Sequence, residues 1–346
     1  MRALVYEGPE SLHIRERPEP EAGSDGAVVR VLACGICGTD LRIARGGHRA
    51  YPEGTRRIPG HEIVGEVVAV GPRTSGAGVG DRVFVAPNLG CGECAACRTG
   101  RGNLCARAEA FGITMDGGFA ELLGVPGVAL RQGNLLALPE ALDPAAGSVI
   151  EPLACVLRGQ RAVDVHEGDR VVVCGAGPIG LLHVLCARAA GASVIVSEPH
   201  ERRRAQAGAF GAEVLLDPTA DDLVEQVREA TDGAGADVVI TAVPLAAVQE
   251  VAPRLAAVGG RINFFAGLPR GAEAIAIESN LIHYRELTLT GTTANDTEDC
   301  RQALELATSG AVDLDRLVSA RFGIERAREA FAAAGGGAEL KVVIEP

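Results

Sequence analysis

Fifteen consecutive positions, Cys91 to Cys105, hold four of the ten cysteines in this chain of 346 residues. Cys91, Cys94, Cys97 and Cys105 follow the spacing C-x2-C-x2-C-x7-C, tight enough for four thiolates to converge on one ion. Zinc suits four sulfurs and needs no redox chemistry, while an iron–sulfur cluster is the rival that thiolates also hold. A four-sulfur zinc site is closed to further ligands. It would brace a loop at about residues 88–108 and do no chemistry itself. The reactive groups must then lie elsewhere.

Two further sets of residues can do chemistry. The run VVVCGAGPIGLL places Gly175, Gly177 and Gly180 directly after a strand-like segment and at the start of a helix-like one, with Pro178 and Ile179 inside the motif. In that context the glycines give a tight turn, a close approach to a pyrophosphate and close helix–strand packing. An acid is expected about twenty residues on, and VIVSEPHERRR supplies Glu198. A carboxylate there bonds ribose hydroxyls and repels a 2'-phosphate, which favours NAD over NADP. Arg202, Arg203 and Arg204 follow it, and one of them could stack on adenine or tolerate a phosphate. We take Arg203, with Val243 after the segment DVVIT, as further coenzyme contacts. The second set is scattered over CGICGTDL, IPGHEIVG and VIEPLAC, which carry Cys37, Thr39, Asp40, His61, Glu62, Glu151 and Cys155. Singly, each reads as a core thiol or a surface pair. Their combination with the four-cysteine loop and the dinucleotide motif is what raises the odds of a site.

The elements that must position these groups differ along the chain. The first 150 residues are β-rich, with short valine-rich runs such as GAVVRVLACG, HEIVGEVVAVG and DRVFVAP bounded by Gly, Pro and Asp. After Gly168, strand-like and helix-like stretches alternate: RVVVCGAG, SVIVSE, EVLL, DVVIT and RINFFAG are the strands. That alternation predicts a parallel sheet covered on both faces. The tail returns to a mixed pattern, with ELTLTG and LKVVIEP as strands.

Bulk composition narrows the class. The chain is 47% hydrophobic and 23% charged, as a globular protein is, and its length suggests two domains. A formal net charge of -12 and no basic stripe argue against nucleic acid. No apolar run reaches membrane-spanning length and the first residues carry no secretory signal, so a cytoplasmic protein is expected. In that compartment clustered cysteines read as metal ligands before disulfides.

Taken together, CGICGTD, PGHE, the four-cysteine loop, EPLAC, GAGPIG and NLIHYRELTLTG make the whole chain resemble the zinc-dependent medium-chain alcohol dehydrogenases, in their sorbitol (L-iditol 2-) dehydrogenase branch. The resemblance implies an α/β fold. A GroES-like β-rich catalytic domain would span residues 1–153 and 290–346, and a Rossmann doubly wound parallel-sheet coenzyme domain residues 154–289. It also implies that Cys37 and His61 ligate a catalytic zinc. Glu62 and Glu151 are the carboxylates that can bind it or hold its water, and Thr39 passes the alcohol proton outward. Two zinc ions per chain, one catalytic and one structural, and NAD follow as cofactors, and a homodimer or homotetramer by family habit.

The expected reaction is hydride transfer between NAD and a secondary alcohol of a polyol, cyclitol or sugar-derived compound, giving a ketone. Within the enzymes, L-threonine 3-dehydrogenase-like and aminocyclitol dehydrogenase activities are the alternatives. A non-catalytic, crystallin-like relative would have lost the Cys37, His61, Glu62 and Glu151 set, which is present. Two departures from the family pattern stand out. Arg42 replaces a His in CGTDLR, with His48 nearby in RGGHRAY. An Arg-Tyr pair that contacts polyol in animal sorbitol dehydrogenases is missing from GTTANDTED.

Overall fold

Valine-rich runs flanked by glycine become strands because branched side chains fit the pleated, half-buried surface. A computed structural model describes residues 1–346. The chain divides into two units, Met1–Ala154 with Asn295–Pro346, and Cys155–Ala294. No helix is long and apolar enough to cross a membrane.

The first unit is built on a seven-stranded sheet. Its order is Val318–Gly323, Lys341–Glu345, Ala27–Gly35, Glu62–Val70, Arg82–Val85 and Leu135–Ala137, with Leu122–Val125 also pairing with Ala27–Gly35. Val29, Val31, Ile63, Val67, Phe119, Val342 and Ile344 are buried together beneath it. Two registers decide which residues become neighbours at the strand ends. Gly35 lies opposite Glu62 on one side and opposite Val343 on the other. The C-terminal strand therefore runs beside the strands that carry the first site residues. Helices before residue 149 are short; the longest, α1 (Gly38–Ala44), has seven residues.

The second unit is a six-stranded parallel sheet in the order Val214–Leu216, Ser193–Ser197, Arg170–Cys174, Ala236–Thr241, Ala256–Phe264 and Thr288–Gly291. Its three central strands are built around the apolar cores VVV, VIV and VVI, as expected where helices cover both faces. The strand order reverses at Arg170–Cys174, and in such sheets the crevice at that switch point takes the ligand. The sequence boundary at 289/290 cuts the strand Thr288–Gly291. Its pairing with Arg261–Phe264 carries the second unit on to Ala294. ELTLTG reads as a strand in either domain, and only the pairing decides which sheet takes it.

Two glycines make the turn after Cys174 possible. Gly175 has φ of +106°, and a Cβ on it would lie 2.4 Å from Val243 Cγ1. A Cβ on Gly180 would lie 1.9 Å from the Gly175 carbonyl oxygen. Backbone cannot yield there as a side chain could. Gly180→Ala is expected to destabilise the protein by roughly 1–3 kcal/mol, read as a lower urea midpoint. An unchanged midpoint would show that helix and strand can separate at no cost.

Candidate functional site

Strand Ala27–Gly35 ends two residues before α1, and Cys37 occupies the extended position at the helix N-cap, with φ -106° and ψ 161°. Asp40, in the first turn of α1, is fully buried and ties this corner together. One of its oxygens accepts the Cys37 N–H at 2.9 Å, and the other accepts the Gly60 N–H at 3.2 Å. One carboxylate thus fixes both Cys37 and the residue before His61. The result is a cluster in which the ligating atoms of Cys37, His61 and Glu62 all lie within 4.8 Å of one another. Thr39 is half-buried, two residues past Cys37 in the same helix.

The cluster favours a cation. His61 is 7% exposed, and its Nδ1 is buried without a hydrogen-bond partner, 3.6 Å from Asp40 Oδ1. Burial works against a charged imidazole, but Asp40 and Cys37 outweigh it and hold the His61 pKa well above its ordinary value. A mixed sulfur, nitrogen and oxygen donor set suits zinc. The residues present therefore fit the ion that the sequence implies.

Each nearby carboxylate has its own holder. Glu62 is fully buried, and both its oxygens accept from Lys341 Nζ at 2.7 Å. Gly35 makes room for it, since a Cβ there would meet Glu62 Oε2 at 2.0 Å. Glu151, in the first turn of helix Ile150–Arg161, is 6% exposed and stands outside the three-residue cluster. Its Oε1 accepts from Asn295 Nδ2 at 2.6 Å. Burial raises its pKa, His61 opposes that, and Glu62 adds to it. Asn295 is buried as well, and its side-chain oxygen accepts from Asn88 Nδ2 at 3.0 Å. Neither Lys341 nor Asn295 emerged from the sequence. A signal for Lys341 exists: it is the only lysine in the chain, in the apolar run LKVVI.

The four-cysteine loop also gathers. The sulfurs of Cys91, Cys94, Cys97 and Cys105 lie within 4.8 Å of one another, and no cysteine of the chain forms a disulfide. Backbone N–H groups point at them: Cys94 N donates to Cys91 Sγ, and Cys91 N and Arg107 N donate to Cys105 Sγ, each at 3.4 Å. Backbone N–H groups of Glu93 and Cys94 pull the Cys91 thiol down to about 6. Such donors favour thiolates, the form that binds metal.

In the second unit, Gly177 caps helix Pro178–Ala189, with Pro178 at its first position. Gly177, Pro178 and Ile179 are partly accessible, while Gly175 and Gly180 are buried. Glu198 follows strand Ser193–Ser197 and is 3% exposed. Its carboxylate accepts the Ala176 N–H at 2.9 Å and the His200 N–H at 3.0 Å, so it is locked against the glycine turn. Of the three arginines, Arg204 bonds the carbonyls of Glu198 and Pro199 and the carboxylate of Asp217, which gives it a structural task. Arg203 is half-buried in the first turn of helix Glu201–Ala209. Val243 packs on Gly175.

Comparison with known proteins agrees with this geometry. Residues 23–140 match the alcohol dehydrogenase GroES-like domain, and residues 178–309 match the zinc-binding dehydrogenase family. The chain is 36% identical over 333 residues to an L-threonine 3-dehydrogenase of Pyrococcus horikoshii, covering 94% of this chain and 92% of that one. It is 32% identical over 354 residues to a sorbitol dehydrogenase of Halalkalibacterium halodurans, covering 100% and 99%. A crystal structure of a zinc-binding dehydrogenase from Sinorhizobium meliloti, bound to NADP, superposes with a TM-score of 0.92 at 36% identity, covering 100% of this chain and 99% of that one.

Proposed function

The chain belongs to the zinc-dependent medium-chain alcohol dehydrogenases, and we propose that within them it oxidises a secondary alcohol of a polyol, cyclitol or sugar-derived compound to a ketone, with NAD as hydride acceptor. The observation that carries this reading is the gathering of Cys37, His61 and Glu62 at one buried corner, with Thr39 two residues past Cys37 in the helix that starts there. Cys37 and His61 would hold the catalytic zinc, and Glu62 and Glu151 are the carboxylates able to complete its set. When bound, such an ion supplies Lewis acidity that makes an alcohol proton easier to remove. Thr39 is the hydroxyl we assign to carry that proton away. The carbon-bound hydrogen leaves as hydride to the nicotinamide, so the alcohol loses two electrons and NAD gains them. Asp40 keeps Cys37 and His61 in register throughout. A second zinc on Cys91, Cys94, Cys97 and Cys105 would brace its loop. A homodimer or homotetramer is the assembly we expect.

Coenzyme choice rests on Glu198. Glu198→Gln is expected to weaken NADH binding by about tenfold, the effect of losing a charge-assisted hydrogen bond. The same change should narrow the preference over NADPH. Fluorescence titration with both coenzymes checks this. Equal affinities in the unaltered protein would remove Glu198 as the selector.

A second reading, oxidation of L-threonine, is favoured by the 36% identical relative. NADH formation at alkaline pH on sorbitol, xylitol, myo-inositol, L-threonine and simple secondary alcohols separates the two. Turnover of one polyol or cyclitol supports the first reading. Turnover of L-threonine alone replaces it with the second.

A further inference from the structure

Helix α1 starts at Cys37 and sorts its side chains by direction. Asp40 and Ile43 are buried. Leu41 and Arg45 reach toward Gly335. Thr39 and Arg42, three apart, lie one turn from each other on the same side of the helix. Thr39 is half-buried two residues past Cys37, and Arg42 is exposed one turn further on. Arg42 makes no ion pair, although most arginines outside this loop do.

The chain then folds back on this arginine. Gly47 N–H donates to the Arg42 carbonyl at 2.9 Å, and a Cβ on Gly47 would lie 3.3 Å from Arg42 Cγ. His48 follows. Its Nδ1 accepts the Ala50 N–H at 3.2 Å, and its ring stands edge-on to Tyr51 at 6.2 Å. An imidazole whose Nδ1 accepts carries its proton on Nε2, so His48 offers a donor there. Burial, then Arg42 and Arg49, then His61, push its pKa below the ordinary value against the pull of Asp40, which keeps it neutral. Asp40 is buried with both oxygens engaged by Cys37 and Gly60. The end of α1 and the turn after it thus present donors within electrostatic reach of one another and of His61: the Arg42 guanidinium and the His48 Nε2–H.

We propose that Arg42 and His48 bind an anionic oxygen group, a carboxylate or a phosphate, on the secondary alcohol that this enzyme oxidises. The proposal rests on the dehydrogenase reading and narrows its substrate class to sugar acids or sugar phosphates over neutral polyols. A guanidinium presents parallel N–H donors matched to two oxygens of such a group.

The test is calorimetric binding of sorbitol, D-gluconate and sorbitol 6-phosphate to the zinc-loaded protein with NADH, together with turnover of each. Binding does not need turnover, so the two readings can fail separately. Tighter binding of an anionic compound than of sorbitol, by about tenfold to a hundredfold, supports the site. Whether gluconate or the phosphate is preferred names the source. Arg42→Ala should bring the anionic-to-neutral ratio near one, Arg42→Lys should restore part of it, and His48→Ala should lower it less. Equal binding of all three compounds, or an unchanged ratio in Arg42→Ala, overturns the proposal. So does a loss in Arg42→Ala confined to NADH affinity, which would assign the arginine to the coenzyme. Selective anion binding without any turnover would keep the site and count against a polyol-derived alcohol as the compound that is oxidised.

Discussion

Cys37→Ser is expected to lower kcat/KM by about three orders of magnitude or more while the protein stays folded with one zinc ion bound. The fold should survive because Cys37 is half-buried and occupies a helix N-cap, where serine is itself a favoured residue. Its neighbours are held by Asp40 through backbone N–H groups that the substitution does not touch. What is lost is the thiolate that, with His61, fits the catalytic ion. Lewis-acid stabilisation is worth several kcal/mol, and each 1.4 kcal/mol is about tenfold in rate. Elemental analysis should fall from two zinc ions per chain to one. Cys97→Ser should do the reverse. It would remove the other zinc and lower the melting temperature, while turnover per folded molecule is largely kept. Full activity in Cys37→Ser would end the metal assignment. Loss of both ions together would show that the two sites are not independent.

The parts legible in the sequence are those whose chemistry is local. The four cysteines span fifteen positions, so spacing alone brings them together. The glycine turn is a strand, a loop and a helix start in succession, and Glu198 closes on it from the next strand through the Ala176 amide. The holders of the carboxylates are a different matter. Lys341 is 279 positions from Glu62, and Asn295 is 144 from Glu151. Only strand pairing brings the first pair together: Val343 stands opposite Gly35, and Gly35 opposite Glu62. No period or motif in LKVVIEP announces that register. Arg42 was legible only in part. Its position in the segment was plain, and the Gly46–Gly47 pair that closes α1 on it is a local cap, with Gly46 at φ +76° and Gly47 N–H bonded to the Arg42 carbonyl, but nothing in the sequence announces that Arg42 is left without an ion pair.

Glu62 and Lys341 set up the second large effect. Both are buried, and their only charge partners at contact distance are each other. Burial works against the ammonium, but Glu62, with Cys37 and Glu151, outweighs it and raises the Lys341 pKa. A lysine suits this place, since a compact ammonium can sit between two carboxylate oxygens and still reach the Ile36 carbonyl at 3.4 Å. Lys341→Met leaves Glu62 charged in a closed space. Breaking a buried pair on one side costs about 3–5 kcal/mol, and that loss is expected in the zinc-free protein, read from the urea midpoint. Adding zinc should shrink it, because Glu62 lies in the metal cluster and the ion would take over part of the neutralisation. The double change Lys341→Met with Glu62→Gln should recover much of the stability, since neither member of the pair then carries an unmatched charge. Because Lys341 is the only lysine, an amine-specific reagent gives an independent reading. It should leave this side chain unmodified until the protein unfolds. A cost that is the same with and without zinc would place Glu62 beyond the ion's reach and leave Glu151 as the carboxylate that completes the set.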